Sequence, residues 1–306
     1  METGRVNIQP HLNGRVLLLD EELRELNENG EGGIRSGQLK VILKSNQRKA
    51  SWSDSIPSMY RYTPADEMVS LLEYIAGYRK RESDEGEAKV VTLISDEGGS
   101  GVSTLGINLC RMLSRAGLGA IYLCISPFAA SPKEILWGES DRTGGKAWMR
   151  MLFGMRKGRE GILPSVLERI EELSYIPAPR INSHADEIDQ EILRGLRKEG
   201  KAMGYEYLIF DMGTHMEGKR KKILEESNIV IAVNPGYDLE GELRRRGEDR
   251  LITIVNLYRE DLVEVASEKL ADIHIDFIPG IGRASIDMEL RKPMEKLVEL
   301  IKEKEI

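Results

Sequence analysis

Cysteine is almost missing from this chain of 306 residues: there are two, Cys110 and Cys124, each inside an apolar stretch. Two such thiols give no disulfide framework and read as small buried hydrophobes in a reducing compartment. Long apolar runs are missing too. None reaches the roughly 18–20 residues that a membrane helix requires. Met1 to Gly14 is polar and lacks the apolar centre of a secretory signal. Positive charge is not in excess, since 44 Lys+Arg against 51 Asp+Glu leave −7, so charge alone does not advertise nucleic-acid binding. His11, His184, His215 and His274 show no paired ligand spacing. No G-x-S-x-G nucleophile motif occurs. No strict repeat is present, which excludes a collagen-like or coiled-coil rod. The remainder, 41 % hydrophobic and 31 % charged, has the balance of a soluble globular protein. At roughly 150 residues per domain the length suggests two domains. The expectation is a cytoplasmic protein.

The first 85 residues differ from the rest. Val16–Leu19 and Val41–Leu43 predict short buried strands, separated by the loop Asn27–Gly33. Met59–Tyr62 is a third strand candidate. Pro64 opens a helical pattern with Met68, Leu71, Leu72 and Ile75 on one face. Lys80 to Lys89 is charged and apolar-poor, which reads as a linker. From residue 90, strands and helices alternate. Strands are expected at Val90–Ile94, Ala120–Ile125, Leu173–Pro177, Tyr207–Phe210, Ile229–Val233, Leu251–Val255 and Ile273–Ile278. Helices are expected at Ser103–Ala116, Leu163–Leu173, Asp186–Lys201 and Pro293–Lys304, with the region 130–170 otherwise irregular. Continuous apolar strands separated by helices indicate an α/β fold with a doubly wound, mainly parallel sheet covered on both faces. The domains are therefore read as 1–85 and 86–306.

The strongest feature is Ser95-Asp96-Glu97-Gly98-Gly99-Ser100-Gly101-Val102-Ser103-Thr104, straight after one predicted strand and straight before a helix. Glycines at such a turn let consecutive N–H groups form an anion nest, and the helix N-terminus adds positive potential. In an active phosphate loop a lysine then neutralises the β/γ-phosphates and a hydroxyl ligates Mg²⁺. Gly98, Gly99, Gly101, Ser103 and Thr104 are present here; the lysine is not.

This segment resembles the deviant Walker A loop of the MinD/ParA class of P-loop ATPases, K-G-G-x-G-K-[ST]-[ST]. On that pattern Glu97 stands at the signature lysine and Val102 at the Walker lysine. Tyr205 to Asp211 resembles the family's Walker B strand. Val255-Asn256 resembles the strand end whose asparagine reads adenine, and Ile278-Pro279-Gly280 the proline turn over the base. Cys124 and Ser126 stand where the family's D-x-D-P strand end has acids. The resemblance covers about residues 88–306. It implies a site for ATP or ADP with Mg²⁺ built from Gly98, Gly99, Ser100, Gly101, Val102, Ser103, Thr104, Asp211, Asn256 and Pro279, with Ser103 and Asp211 on the metal. It assigns no catalytic residue. Losing the Walker lysine removes a contact worth roughly 1.5–3 kcal/mol of binding. The loss in rate is larger, about 10²–10³ by analogy with other lost donors. Hydrolysis is expected to be absent or very slow, unless a lysine such as Lys146 or Lys157 arrives from elsewhere.

Within the class the chain looks most like the TadZ/CpaE group of tight-adherence (Flp) pilus systems, which carry a receiver-like N-terminal domain. Val16 to Asp20 resembles a receiver's third strand, but the upstream acidic pair is not found, and Lys44 and Tyr62 depart from the pattern. The resemblance implies a homodimer acting as a localisation or assembly scaffold with pilus or secretion proteins, at the inner face of the membrane or the cell pole. DNA binding and direct membrane insertion are not expected. The alternative is a weak but active ATPase in partition or division-site placement.

Several features carry two readings. Asn256 either reads adenine or closes a loop through its own backbone. Trp148 to Lys157 is read as a core helix at the sheet edge, the alternative being a partner- or membrane-contacting element. Lys219–Lys222 and Arg244–Arg246 are read as solvated helix faces among acids, the alternative being a DNA contact. Met294, Leu297, Val298 and Ile301 share one face of the last helix. Its balanced charges indicate docking on the domain rather than a membrane anchor.

Overall fold

The computed structural model describes residues 16–20, 39–44, 58–62, 68, 72, 86–126, 130–141, 143–159, 161–214, 220–258, 271–276 and 290–304. They form two sheets. The smaller holds β1 (Val16–Asp20), β2 (Leu39–Lys44) and β3 (Ser58–Tyr60), parallel and adjacent in that order. Val41 and Met59 are fully buried, as is Leu72, which with Met68 is helical as the pattern after Pro64 predicts. The rest of that helix, the loop 27–33 and the linker residues 80–85 lie outside the described residues.

The larger sheet is built from β4 (Lys89–Ile94), β5 (Gly119–Cys124), β6 (Glu168–Ile170), β7 (Leu173–Ile176), β8 (Tyr205–Asp211), β9 (Ile229–Val233), β10 (Leu251–Tyr258) and β11 (Ile273–Asp276). Their spatial order is β11-β10-β9-β4-β8-β5-β7-β6, and every pair is parallel except β6 with β7. The strands are apolar on both faces because both are covered. Alternation along β4 sends Val91 and Leu93 to one side, where α1 (Val102–Arg115) and the last helix, α8 (Arg291–Glu303), pack. Val90 and Ile94 point to the other. There they meet α3 (Gly144–Arg156), α5 (Gln190–Ala202), α6 (Arg220–Glu225) and α7 (Tyr237–Gly247). On α8, Met294, Leu297, Val298 and Ile301 are buried against α1 and β11, so its apolar face is spent inside the domain. Among the described residues no helix is long and apolar enough to cross a membrane.

Three expectations need correction. The region 130–170 is not irregular: α2 (Pro132–Trp137) and α3 lie within it. The helix expected at Leu163–Leu173 is instead a short 3-10 turn (Leu163–Ser165) followed by the β6–β7 hairpin. The buried Glu199 side chain of α5 accepts from Leu163 N at 2.7 Å and Ile162 N at 3.3 Å, which holds this turn at the start. Glu171 at φ 53 makes the hairpin turn, and Tyr175 Oη donates across it to Glu168 at 2.9 Å. The helix expected at Asp186–Lys201 is present as α5 but starts four residues later, at Gln190, and a separate short helix, α4 (Asn182–Asp186), precedes it. Asp189 starts α5 by accepting from Ile192 N at 3.0 Å, an N-cap contact.

Trp148 anchors α3. It is fully buried, and its indole N–H donates to the Pro177 carbonyl at 2.7 Å. Trp148→Ala is expected to lower stability by about 3–5 kcal/mol. Trp148→Phe should cost less, about 1–3 kcal/mol, by leaving that carbonyl unpaired. Urea denaturation checks both; a Trp148→Phe midpoint equal to that of the unsubstituted protein would show that the hydrogen bond adds nothing to the packing.

Candidate functional site

The glycine-rich turn leaves the carboxyl end of β4, which sits between β8 and β9 where successive connections depart to opposite sides. Open α/β sheets place ligands in that crevice. Ser95 is buried and its N–H donates to Gly213 O at 2.9 Å, while its Oγ accepts from Glu97 N at 3.1 Å. Asp96 Oδ2 accepts from Gly236 N at 2.8 Å and ties the turn to the segment after β9. Glu97, Gly98 and Gly99 are exposed, and a Cβ added at Gly98 or Gly99 meets nothing within 4 Å. Gly99 at φ 81 and Gly101 at φ 88 adopt the left-handed backbone that a nest of N–H groups requires. Gly101 is the N-cap of α1 and leads directly into its first turn.

Behind the turn the side chains have separate fates. Val102, at the Walker-lysine position, is 5 % exposed and belongs to the apolar cluster shared by α1, α8 and the sheet. Ser103 Oγ donates to Asp211 Oδ2 at 2.5 Å. Asp211 ends β8 and is fully buried. Its Oδ2 also accepts from Tyr122 Oη at 2.7 Å and from Cys124 Sγ at 3.6 Å, and its Oδ1 from Gly213 N at 3.0 Å. All four of these donors are neutral. Thr104 contributes its carbonyl, which accepts from Asn108 Nδ2 at 2.8 Å.

Asn256, on β10, donates through Nδ2 to the Ser100 carbonyl at 2.7 Å. Its own N–H donates to Asn234 Oδ1 at 2.7 Å, and Asn234 Nδ2 returns a bond to Asn256 O at 3.1 Å. The carboxamide thus holds the loop itself, a third role beside the two expected. It fills the space where a Cβ on Gly101 would come within 2.3 Å. The turn with Pro279 lies outside the described residues. Lys146 on α3 and Lys157 at its C-cap are exposed, and α3 packs on the sheet face opposite α1.

The residues fit a nucleotide in part. The open glycine backbone suits phosphate oxygens, and Ser103 with Asp211 offers the hydroxyl and carboxylate that a hard cation such as Mg²⁺ takes. The charge partners do not fit, since the lysine positions hold a buried valine and an exposed glutamate. Sequence reasoning missed Tyr122, Asp96 and Asn234. Tyr122 had a signal: it lies two residues before Cys124, on the same side of β5.

The buried acids near this site make stability depend on pH. Burial first, then the Asp211 charge, hold the Tyr122 phenol and the Cys124 thiol well above their ordinary values. Burial also pushes the Cys110 thiol up. The unfolded thiols ionise near 9.0 while the folded ones keep their protons. Above that pH the unfolded state therefore binds fewer protons, and stability falls as pH rises. Each thiol contributes a slope approaching about 1.4 kcal/mol per pH unit. The urea midpoint should drop above pH 9, and Cys110→Ala should remove one thiol's share. A flat midpoint across this window would contradict the burial of both thiols.

No protein-family model matches the chain, and no curated protein matches it. Solved structures do. A plasmid partition protein from Borrelia burgdorferi is 17 % identical, with 71 % of this chain and 100 % of that one covered at a TM-score of 0.51. A Borrelia burgdorferi protein assigned to plasmid partition and bound to AMPPNP is 16 % identical over 72 % of this chain and 100 % of its own, also at 0.51. The cell division ATPase MinD of Pyrococcus furiosus is 14 % identical over 71 % and 99 %, again at 0.51. With its strand order, loop and buried strand-end aspartate in place, this chain has the doubly wound P-loop fold of the MinD/ParA ATPases.

Proposed function

We propose that this protein is a degenerate relative of the MinD/ParA ATPases. In this reading it is a localisation or assembly scaffold of the TadZ/CpaE kind for a pilus or secretion system. Its loop holds ATP or ADP with Mg²⁺ without efficient turnover, and it works as a homodimer at the inner face of the membrane or the cell pole. The carrying observation is Val102, whose side chain is part of the apolar core where an active loop has its lysine. A cation buried at this position would be left without a partner in the apolar cluster, which supports a loop that works without the Walker lysine. Glu97 at the exposed tip adds a negative charge where the class has a positive one. Binding remains in the proposal because the nest uses backbone N–H groups, and because one neighbour of the same fold holds AMPPNP.

The basic runs support the exclusion of DNA. Arg220 is buried and pairs with Asp186 at 2.8 Å. Arg244 pairs with Glu240 at 2.8 Å, and Arg246 with Glu242 at 2.6 Å and Glu225 at 3.3 Å. Among the described residues of the two runs, these three arginines are answered locally. The likeness to a partition protein and to MinD favours the second reading, a weak but active ATPase.

Calorimetric titration with ATP–Mg²⁺ and ADP, followed by phosphate release on the same sample, separates the two. The expected result is binding with no sustained release. Release abolished by Asp211→Ala would sink the scaffold reading in favour of the ATPase. No binding at millimolar nucleotide would remove the nucleotide from the proposal and leave a protein that acts through its surfaces.

A further inference from the structure

Residues 143–159 contain Lys146, Arg150, Arg156, Lys157 and Arg159 and no acid, in a chain whose net charge is −7. All five cations are exposed; α3 carries the first three, and Lys157 is its C-cap. The same outer face carries Met149 and Phe153, one turn apart and 56 % and 53 % exposed. The inward face is used for docking, through Trp148, Met151, Leu152 and Met155. Helical spacing places Lys146, Met149, Arg150, Phe153 and Lys157 along one stripe. Arg159 lies 5.2 Å and Lys157 5.9 Å from the centre of the Phe153 ring, so the aromatic knob is collared by positive charge. Of the five cations, Arg156 is answered by an ion pair with Glu187, and Arg150 reaches the Ser165 carbonyl at 3.5 Å. At the start of the helix the Arg180 side chain packs beside Gly145 and extends the positive surface.

We propose that this face of α3 docks on an anionic phospholipid bilayer. Two kinds of side chain are presented together, and a bilayer surface accepts both. Lys146, Lys157 and Arg159 meet headgroup phosphates, while Met149 and Phe153 enter the acyl boundary just beneath. A duplex nucleic acid would satisfy the cations and leave both apolar side chains in water, because its bases are already stacked. The last helix does not compete for this role, since its apolar face is buried in the domain. The face is independent of the phosphate loop, so the proposal stands whether or not nucleotide binds.

The test is flotation of the full chain with phosphatidylcholine vesicles, with and without phosphatidylglycerol, at low and high salt. Binding is expected only to the anionic vesicles, and should fall with salt. Neutralising Lys146, Lys157 and Arg159 to Gln should weaken partitioning by about fivefold for each cation removed. Phe153→Ser should weaken it by about tenfold or more through lost apolar contact. All four side chains are exposed, so circular dichroism and the urea midpoint should not move. Equal binding to neutral vesicles, no binding to anionic ones at low salt, or full binding by the triple variant would each overturn the proposal. So would a mobility shift of duplex DNA lost in the triple variant without any vesicle binding, which would assign the face to nucleic acid.

Discussion

A carboxylate buried at the end of β8 must find donors inside the protein, and Asp211 finds them on three separate elements. Ser103 reaches it from the first turn of α1, Tyr122 and Cys124 from the neighbouring strand β5, and Gly213 from the turn that follows. Hydrogen bonds to a charged group contribute about 1.5–3 kcal/mol each, so this cluster is among the stronger polar links in the sheet. It fixes where α1 starts, and therefore where the glycine turn lies. In an active phosphate loop the same carboxylate works beside fixed cations. Here the donors are neutral hydroxyl, phenol, thiol and amide groups, and the geometry persists without a lysine to organise it.

Much of this was legible in the sequence because it is local. The strands of the larger sheet are continuous apolar runs, the glycines bracket a strand end, and the motif from Tyr205 to Asp211 announces its own strand. What escaped was non-local. The segment Leu163–Leu173 carries enough leucine and glutamate to mimic a helix, but Glu199 of α5 holds its start as a turn, and the hairpin that follows is tied by Tyr175 reaching back to Glu168. Asn256 was singled out, but its partner, the Ser100 carbonyl, is 156 residues away in sequence, a distance no periodicity encodes. Tyr122 passed as an ordinary strand aromatic because its ring does pack in the core, against Gly106, and only its hydroxyl takes part in the site.

Charge in this protein is organised by neighbourhood rather than by total. Arg220 of α6 and Arg244 and Arg246 of α7 pair with aspartate and glutamates that neutralise them. The stretch through α3 has no acid of its own, although the chain as a whole is acidic. Net charge alone therefore describes neither surface, because screening in water confines each charge's influence to about 8–10 Å.

The bond from Asn256 to the Ser100 carbonyl has a mechanical meaning. β10 lies two strands away from β4, so the loop that leaves β4 is pinned from across the sheet by a single carboxamide. Asn256 is itself braced through its backbone N–H and carbonyl by Asn234, at φ 46, just past the end of β9, the strand between them. The loop's shape is then a property of the sheet's width rather than of whatever occupies the loop. A change that slides β10 against β9 would reshape the anion nest without touching any of its glycines.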